Sequence, residues 1–274
     1  MDGTIALHVN WTLPQRTKTE SDDIEIADFE LLCTTLSALL WRKHNGKVKL
    51  YTDRAGFKYY QNAGMLDLWN GGIDIETLES IPPSINPTIY WAAAKIFAIQ
   101  NEKGPVVMMD TDMLVWKNLP EIKDHPLAAF HTEPINGCYI PYEKLLKRKD
   151  YELDPEWAWE ELPVNTALCY IGDEKFKKYY TSSAIDFMTD NDATPPELIS
   201  QMVFAEQRIF SMCAKKMGIP IHTFLPKLYD GNNTDFTHIW GAKDVAKKDP
   251  NFREELCEAL TRAILRESGN SRER

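Results

Sequence analysis

The sequence predicts an α/β fold: one domain with a mostly parallel central sheet flanked by helices and closed by a C-terminal helix. Three observations carry that expectation. Short β-rich runs alternate with helical patterns along the chain. The run VVMM (106–109) is apolar at every position, as a central strand covered by helices on both faces requires. The last long segment is amphipathic at helical spacing.

At 274 residues, 43% hydrophobic and 26% charged, the composition is that of an ordinary globular chain, expected to fold over residues 1–267 with a frayed tail at 268–274. A net charge of −10 without a basic block argues against nucleic acid as a partner. The five cysteines are scattered with no C-x-x-C pair, which suggests neither a zinc site nor a disulfide framework and fits a reducing compartment. No stretch approaches the ~18 apolar residues of a membrane span, so a cytoplasmic protein is expected. Sequons at Asn10 and Asn232 read as chance matches.

The elements follow in order. TIALHV (4–9) reads as the first strand and WTLPQRTKTESDD (11–23) as a long polar loop. From Asp23 to His44, Ile26, Phe29, Leu32, Cys33, Leu36, Leu39 and Leu40 recur at spacings of three and four, and Gly46 supplies a stop. KVKLYTD (47–53) reads as a second strand, and a helix over 87–101 ends at Lys103 and Gly104. After VVMM, strands are expected at 126–134, 164–171 and 221–225, and a helix at 194–218. The final helix, 249–267, has Asp249 placed to cap and Pro250 at its first position.

The chemistry starts where the buried run ends, in VVMMDTDMLVW (106–116). Asp110 and Asp112 lie two apart, on one side of extended backbone, where unscreened repulsion would cost about 4 kcal/mol at 4 Å and an effective dielectric of 20. A shared divalent cation with oxygen ligands relieves it. In parallel sheets ligands bind beyond the carboxyl ends of the strands, where this pair falls. A second cluster, FTHIWGAKD (236–244), holds His238, Gly241 and Lys243. Histidine can complete a manganese or magnesium shell, glycine allows close backbone approach, and lysine suits phosphate.

On these residues the chain resembles nucleotide-sugar-dependent glycosyltransferases of the GT-A fold. D-T-D resembles their D-x-D, and H-I-W-G-A-K resembles the H-x-x-G-x-x-K signature of the glycogenin and bacterial galactosyltransferase group, with one residue missing before the lysine. The resemblance spans roughly 4–245. It implies a Mn2+ or Mg2+ ion held by Asp110, Asp112 and His238, and a nucleoside-diphosphate sugar donor, a UDP-sugar by analogy. The acceptor would be a sugar, lipid-linked or protein group, in surface polysaccharide or glycoconjugate synthesis.

Further roles follow from the same resemblance. Lys95 would stand near the D-x-D, or else snorkel at a helix surface. His8, Asn10, Trp11 and Thr12 resemble a base-binding segment, joined by Thr52 and Asp53, whose alternative is turn formation. Glu206 and Gln207 resemble an acidic residue and glutamine facing the donor sugar or the acceptor; a structural ion pair with lysine or arginine is the other reading of Glu206. Asn165 and Thr166 resemble a donor-sugar contact, and Lys243 a phosphate contact. Tyr139, Tyr142, Trp157 and Trp159 can stack on an acceptor sugar or simply pack. Two competing functions share the pattern. Haloacid-dehalogenase-like phosphatases use an apolar strand and D-x-D, but near the chain start and with Thr or Val where Leu114 stands. A nucleotide-sugar-binding protein without turnover would keep the same pocket.

Overall fold

The structure, a computed structural model, describes residues 4–195, 197–228 and 234–269. The sheet begins as the alternation demands. β1 (Ile5–Asn10) leads through α1 (Leu13–Thr19) and α2 (Asp28–His44) to β2 (Lys47–Thr52), which lies parallel to β1. α3 (Arg54–Asn62), β3 (Ile73–Asp74), α4 (Glu76–Glu79) and α5 (Ala93–Asn101) bring the chain to β4 (Val106–Met109), on the other side of β1. β5 (Met113–Val115), β6 (Leu127–Ala129), β7 (Leu168–Ile171) and α6 (Glu174–Met188) follow. Then come α7 (Leu198–Val203), α8 (Ile209–Met217), β8 (Ile221–Thr223), β9 (Phe236–His238), α9 (Trp240–Lys248) and α10 (Pro250–Gly269).

The seven-stranded order is β3-β2-β1-β4-β7-β6-β8, with β7 alone running antiparallel to its neighbours; β5 and β9 form a separate two-stranded antiparallel ribbon. This is the α/β class expected, with its mostly parallel sheet and C-terminal helix. The alternation of β4 explains VVMM: Val106 and Met108 enter the core under α5 and α6, while Val107 and Met109 enter the core on the opposite face with Trp41 and Val48. α2 and α10 share a third cluster through Phe29, Leu36 and Leu260, into which Leu114 of the ribbon packs.

Several boundaries differ from the sequence reading, each for a local reason. The polar loop 11–23 contains α1, started by Pro14 in its first turn. α2 begins at Asp28 rather than Asp23, because Glu30 folds back to accept from the Ala27 N–H at 3.2 Å. The helix expected from 87 starts at Ala93; before it, the Asn86 side chain accepts from the Thr88 N–H at 2.9 Å and makes a turn. The strands read at 126–134 and 164–171 shorten to β6 and β7, and beyond their ends the segments stay joined by a bridge between Thr132 and Val164 and by backbone bonds such as Phe130 N–H to Asn165 O at 3.0 Å. Asn165 and Thr166 therefore precede β7 instead of opening it. The helix expected over 194–218 is interrupted by a π turn, Phe204–Arg208. α10 runs through Ser268 and Gly269, two residues expected to fray; the rest of that tail and the sequon at Asn232 lie outside the described residues. Asp249 does cap α10, accepting from the N–H groups of Asn251 and Phe252 at 3.0 and 3.3 Å.

Candidate active site

Strand order reverses between β1 and β4, since β2 and β3 extend the sheet one way from β1 and β4 extends it the other. Such a switch opens a crevice beyond the carboxyl ends of the two strands. A cleft of ≈ 500 Å³ lies there, lined by Asn10 at the end of β1, Trp11 after it and Asp110 after β4. Backbone bonds fix its edge: the Asp110 N–H donates to Ala167 O at 2.8 Å, and the Ile239 N–H to Asp112 O at 3.2 Å. The ribbon places Met113 opposite His238, so the turn of the D-T-D segment and the end of β9 are held side by side.

The side chains converge accordingly. Oxygen atoms of Asp110 and Asp112 and a ring nitrogen of His238 all lie within 4.8 Å of one another. Lys95, in the first turn of α5, places Nζ 2.6 Å from Asp110 Oδ1 and 2.9 Å from Glu206 Oε1. Thr166 donates to the same Glu206 oxygen at 2.9 Å, and the Tyr180 hydroxyl donates to the Glu206 backbone carbonyl at 2.7 Å. Lys243 sits 2.9 Å from Asp112 Oδ2, and His238 Nε2 3.8 Å from it. The cluster is two carboxylate–ammonium pairs with an imidazole between them.

Burial sets the electrostatics. It opposes charge on Lys95, yet the attraction of Asp110 and Glu206 outweighs it and holds the ammonium above its ordinary pKa. Asp110 is raised by burial, with repulsion from Asp112 and Glu206 opposed by Lys95. For Asp112 burial also acts upward, but Lys243 and His238 prevail and the net direction is down. Burial lowers His238, against the pull of both aspartates, so the imidazole is neutral near pH 7 and offers a lone pair. Two carboxylates and a neutral imidazole form an oxygen-rich donor set that fits Mn2+ or Mg2+.

Asp110, His238, Lys95, Glu206, Gln207, Trp11 and Asn165 all line the cleft, and Asp112 and Lys243 join them through the contacts above. Lys95 therefore points to the carboxylates and does not snorkel. Glu206 makes the ion pair that was its alternative reading, while still facing the cleft from the π turn, a wide turn often found at functional sites. Gln207 accepts from the Tyr139 hydroxyl, and Asn165 donates to Glu133 at 3.2 Å.

Four expected base contacts are elsewhere. His8, Thr12, Thr52 and Asp53 are buried in the body of the fold, at most 2% exposed, and do not line the cleft. Asp53 accepts from the Thr12 N–H at 3.0 Å, the Thr12 hydroxyl at 2.7 Å and the Gly56 N–H at 2.9 Å, which caps α3 and pins the segment after β1. Thr52 donates to Asn10 O at 2.8 Å. Any Cβ at Gly56 would fall 2.2 Å from the Thr52 hydroxyl, so this junction requires glycine. These residues hold Trp11 in place rather than touching a base.

His8 belongs to an internal relay. The Trp69 indole donates to its Nδ1 at 3.3 Å, which leaves the proton on Nε2 to face Ser37 Oγ at 3.2 Å; Ser37 in turn donates to Met113 O at 2.6 Å. Burial lowers its pKa from 6.5 to about 3. The unfolded chain thus binds one more proton than the native chain below pH 6.5, and stability falls with pH across that window. Urea unfolding at pH 7 and pH 5 should show a loss of about 2 kcal/mol that His8→Gln, which can keep both hydrogen bonds, does not share. An equal pH response in the variant would show that His8 titrates normally.

Among the aromatic residues proposed for an acceptor, Trp157 and Trp159 pack instead: Trp157 is buried and its indole donates to Tyr179 at 3.2 Å, and Trp159 stacks on Phe204 at 5.6 Å. Tyr142 is exposed and meets Trp159 edge-on, and Tyr139 reaches the cleft. Sequence reasoning passed over Glu133, Trp91 and Trp240, which also line it. Trp240 stood inside the H-I-W-G-A-K stretch and Trp91 four residues before Lys95; their proximity to motif residues was the available signal.

Among the described residues, no helix is long and apolar enough to cross a membrane. Solved structures to which the chain is similar include the following three. Mouse xyloside xylosyltransferase 1 in its apo form is 9% identical, with 81% of this chain and 85% of that one covered and a TM-score of 0.39. HddC from Yersinia pseudotuberculosis is 12% identical, with coverages of 93% and 99% and a TM-score of 0.44. An active-site mutant of LgtC is 11% identical, with coverages of 81% and 72% and a TM-score of 0.37. No curated protein sequence matches the chain. A family model does match, over residues 8–250, and by that match the chain belongs to DUF6734, a family of unknown function.

Proposed function

We propose that the protein is a metal-dependent glycosyltransferase of the GT-A type, a single catalytic unit over residues 1–267 that moves a hexosyl group from a UDP-sugar to an acceptor in cytoplasmic assembly of a polysaccharide or glycoconjugate. One observation carries the reading: two aspartates and a histidine converge within 4.8 Å beside a switch-point cleft, and each aspartate is paired with a part-buried lysine. A Mn2+ or Mg2+ ion on Asp110, Asp112 and His238 would neutralise charge on the diphosphate leaving group.

The chain's own groups supply the rest. Lys95 and Lys243 are the cations at hand for donor phosphates. Trp11 forms the wall at the end of β1, on the side suited to the base. Glu206, Gln207 and Asn165 face the space beyond, where hydroxyl groups of the donor sugar or the attacking hydroxyl of the acceptor can be oriented.

Thermal unfolding against nucleoside diphosphates and sugar nucleotides, with and without manganese, tests this. A ligand at 100 times its Kd adds about 2.7 kcal/mol of stability, enough to shift a melting curve. A manganese-dependent shift with one nucleotide is expected; no shift with any donor removes the reading. The pairing of Glu206 with Lys95, which engages the carboxylate otherwise available to a substrate hydroxyl, favours a second reading, a nucleotide-sugar-binding protein without turnover. Slow donor hydrolysis or transfer excludes it.

A further inference from the structure

The chain contains eight tryptophans, all within the described residues, and only Trp91 and Trp240 are exposed, at 40% and 64%. Both line the cleft that contains Asp110 and His238. The others behave as indoles usually do in a soluble fold: Trp11, Trp41, Trp69 and Trp157 are buried, and Trp116 and Trp159 are half-buried against other side chains. Leaving two large apolar rings open to water forgoes the stabilisation their burial would bring, and exposed apolar groups that gather at one place mark a contact surface.

The two rings belong to different walls. Trp91 precedes α5, and the neighbouring Ala92 N–H lies 3.3 Å from the Met202 sulfur, which sets Trp91 on the α7 side with the exposed Ile199. Trp240 opens α9, two residues beyond His238. Trp11, the wall at the β1 end, is only 9% exposed. The cleft is thus lined by one nearly buried indole beside β1 and by two exposed ones on other elements, and its polar lining includes Glu133, Asn136 and Asn165.

We propose that Trp91 and Trp240 form the acceptor platform and that the acceptor presents a neutral pyranose ring. A pyranose has one face of C–H groups, which packs on an indole, and a rim of hydroxyls, which the carboxylate and amide groups of the cleft can bond. Exposed indoles are open to a saccharide arriving from solvent, whereas Trp11 is nearly buried. As an account of the acceptor the inference rests on the transferase reading, but sugar binding by the indoles can be measured without it.

The test is saturation-transfer NMR of the full chain with cellobiose, lactose, maltose, xylobiose and N,N′-diacetylchitobiose. At least one disaccharide should bind saturably. Trp91→Ala and Trp240→Ala should each weaken it roughly tenfold, the size expected for losing one stacked ring, and Trp240→Phe should recover part of that loss. Because its side chain is largely exposed, the melting temperature of Trp240→Ala should be unchanged, and Trp91→Ala should stay folded by circular dichroism. Binding of no disaccharide, or equal binding in the double alanine variant, overturns the platform. So does loss of a manganese-dependent UDP shift in the double variant with sugar affinity retained, since the rings would then hold the base. A UDP shift in the parent without sugar binding refutes the platform and leaves the transferase reading standing. Indole-dependent sugar binding without any nucleotide shift does the reverse.

Discussion

Asp112→Ala will leave the protein folded and remove its response to manganese. Asp112 is 4% exposed, within 2.9 Å of Lys243 and 3.8 Å of His238. Truncation removes an anionic donor from the three that converge and leaves Lys243 beside His238 with Asp110 and Glu30 as countercharges. Lys243 is 29% exposed along its side chain, so it can turn to water, and the stability cost should stay near 1–3 kcal/mol, within the roughly 5–15 kcal/mol of a folded domain. The loss in manganese affinity should exceed about 100-fold, more than an outer-shell substitution costs. Electron paramagnetic resonance titration with Mn2+, alongside circular dichroism, measures both. His238→Ala should weaken the ion less, because water can replace one neutral ligand. Unaltered manganese affinity in a folded Asp112→Ala protein would show that the cluster is not a metal site.

Lys95→Met will have the largest effect on stability. Lys95 lies between Asp110 and Glu206, at 2.6 and 2.9 Å, and replacing it by an apolar chain of similar length leaves two carboxylates with no cation between them. Removing one partner of a buried pair costs about 3–5 kcal/mol. In a chain of this size that lowers the melting temperature by roughly 6–20 °C. Manganese should restore part of that loss, and should stabilise the variant more than the parent, because the cation that shared the site is gone. A melting temperature equal to the parent's would mean that Asp110 and Glu206 find other partners. Destabilisation that manganese leaves untouched would separate Lys95 from the proposed metal site.

The parts of the fold readable from sequence were those governed by short periods. VVMM announced a strand buried on both faces because every position was apolar, and the spacing of Asp110 and Asp112 put both at its end. Longer-range pairing was hidden. Nothing near His8 or Asp53 in the chain reveals Trp69, Ser37 or Thr12 as partners, so residues at the ends of β1 and β2 were read as ligand contacts when they bind one another. The π turn was hidden for another reason: the apolar pattern of 198–214 suits a continuous helix, and the bond from Tyr180 to the Glu206 carbonyl comes from a distant element. α6 had local signals, Asp173 as cap and Phe176, Tyr180, Ala184 and Phe187 facing the core, and the sequence reading missed it.

The short ribbon of β5 and β9 has a consequence for affinity. Its ladder joins Met113 to His238, and the Ile239 N–H closes on Asp112 O, so the spacing between the carboxylate end and the imidazole end is held by main-chain bonds. An ion settling there would have little chain to immobilise. Most of its binding free energy would then be retained as affinity rather than lost to ordering the loop, and the distance between the two arms would act as a gauge of ionic radius.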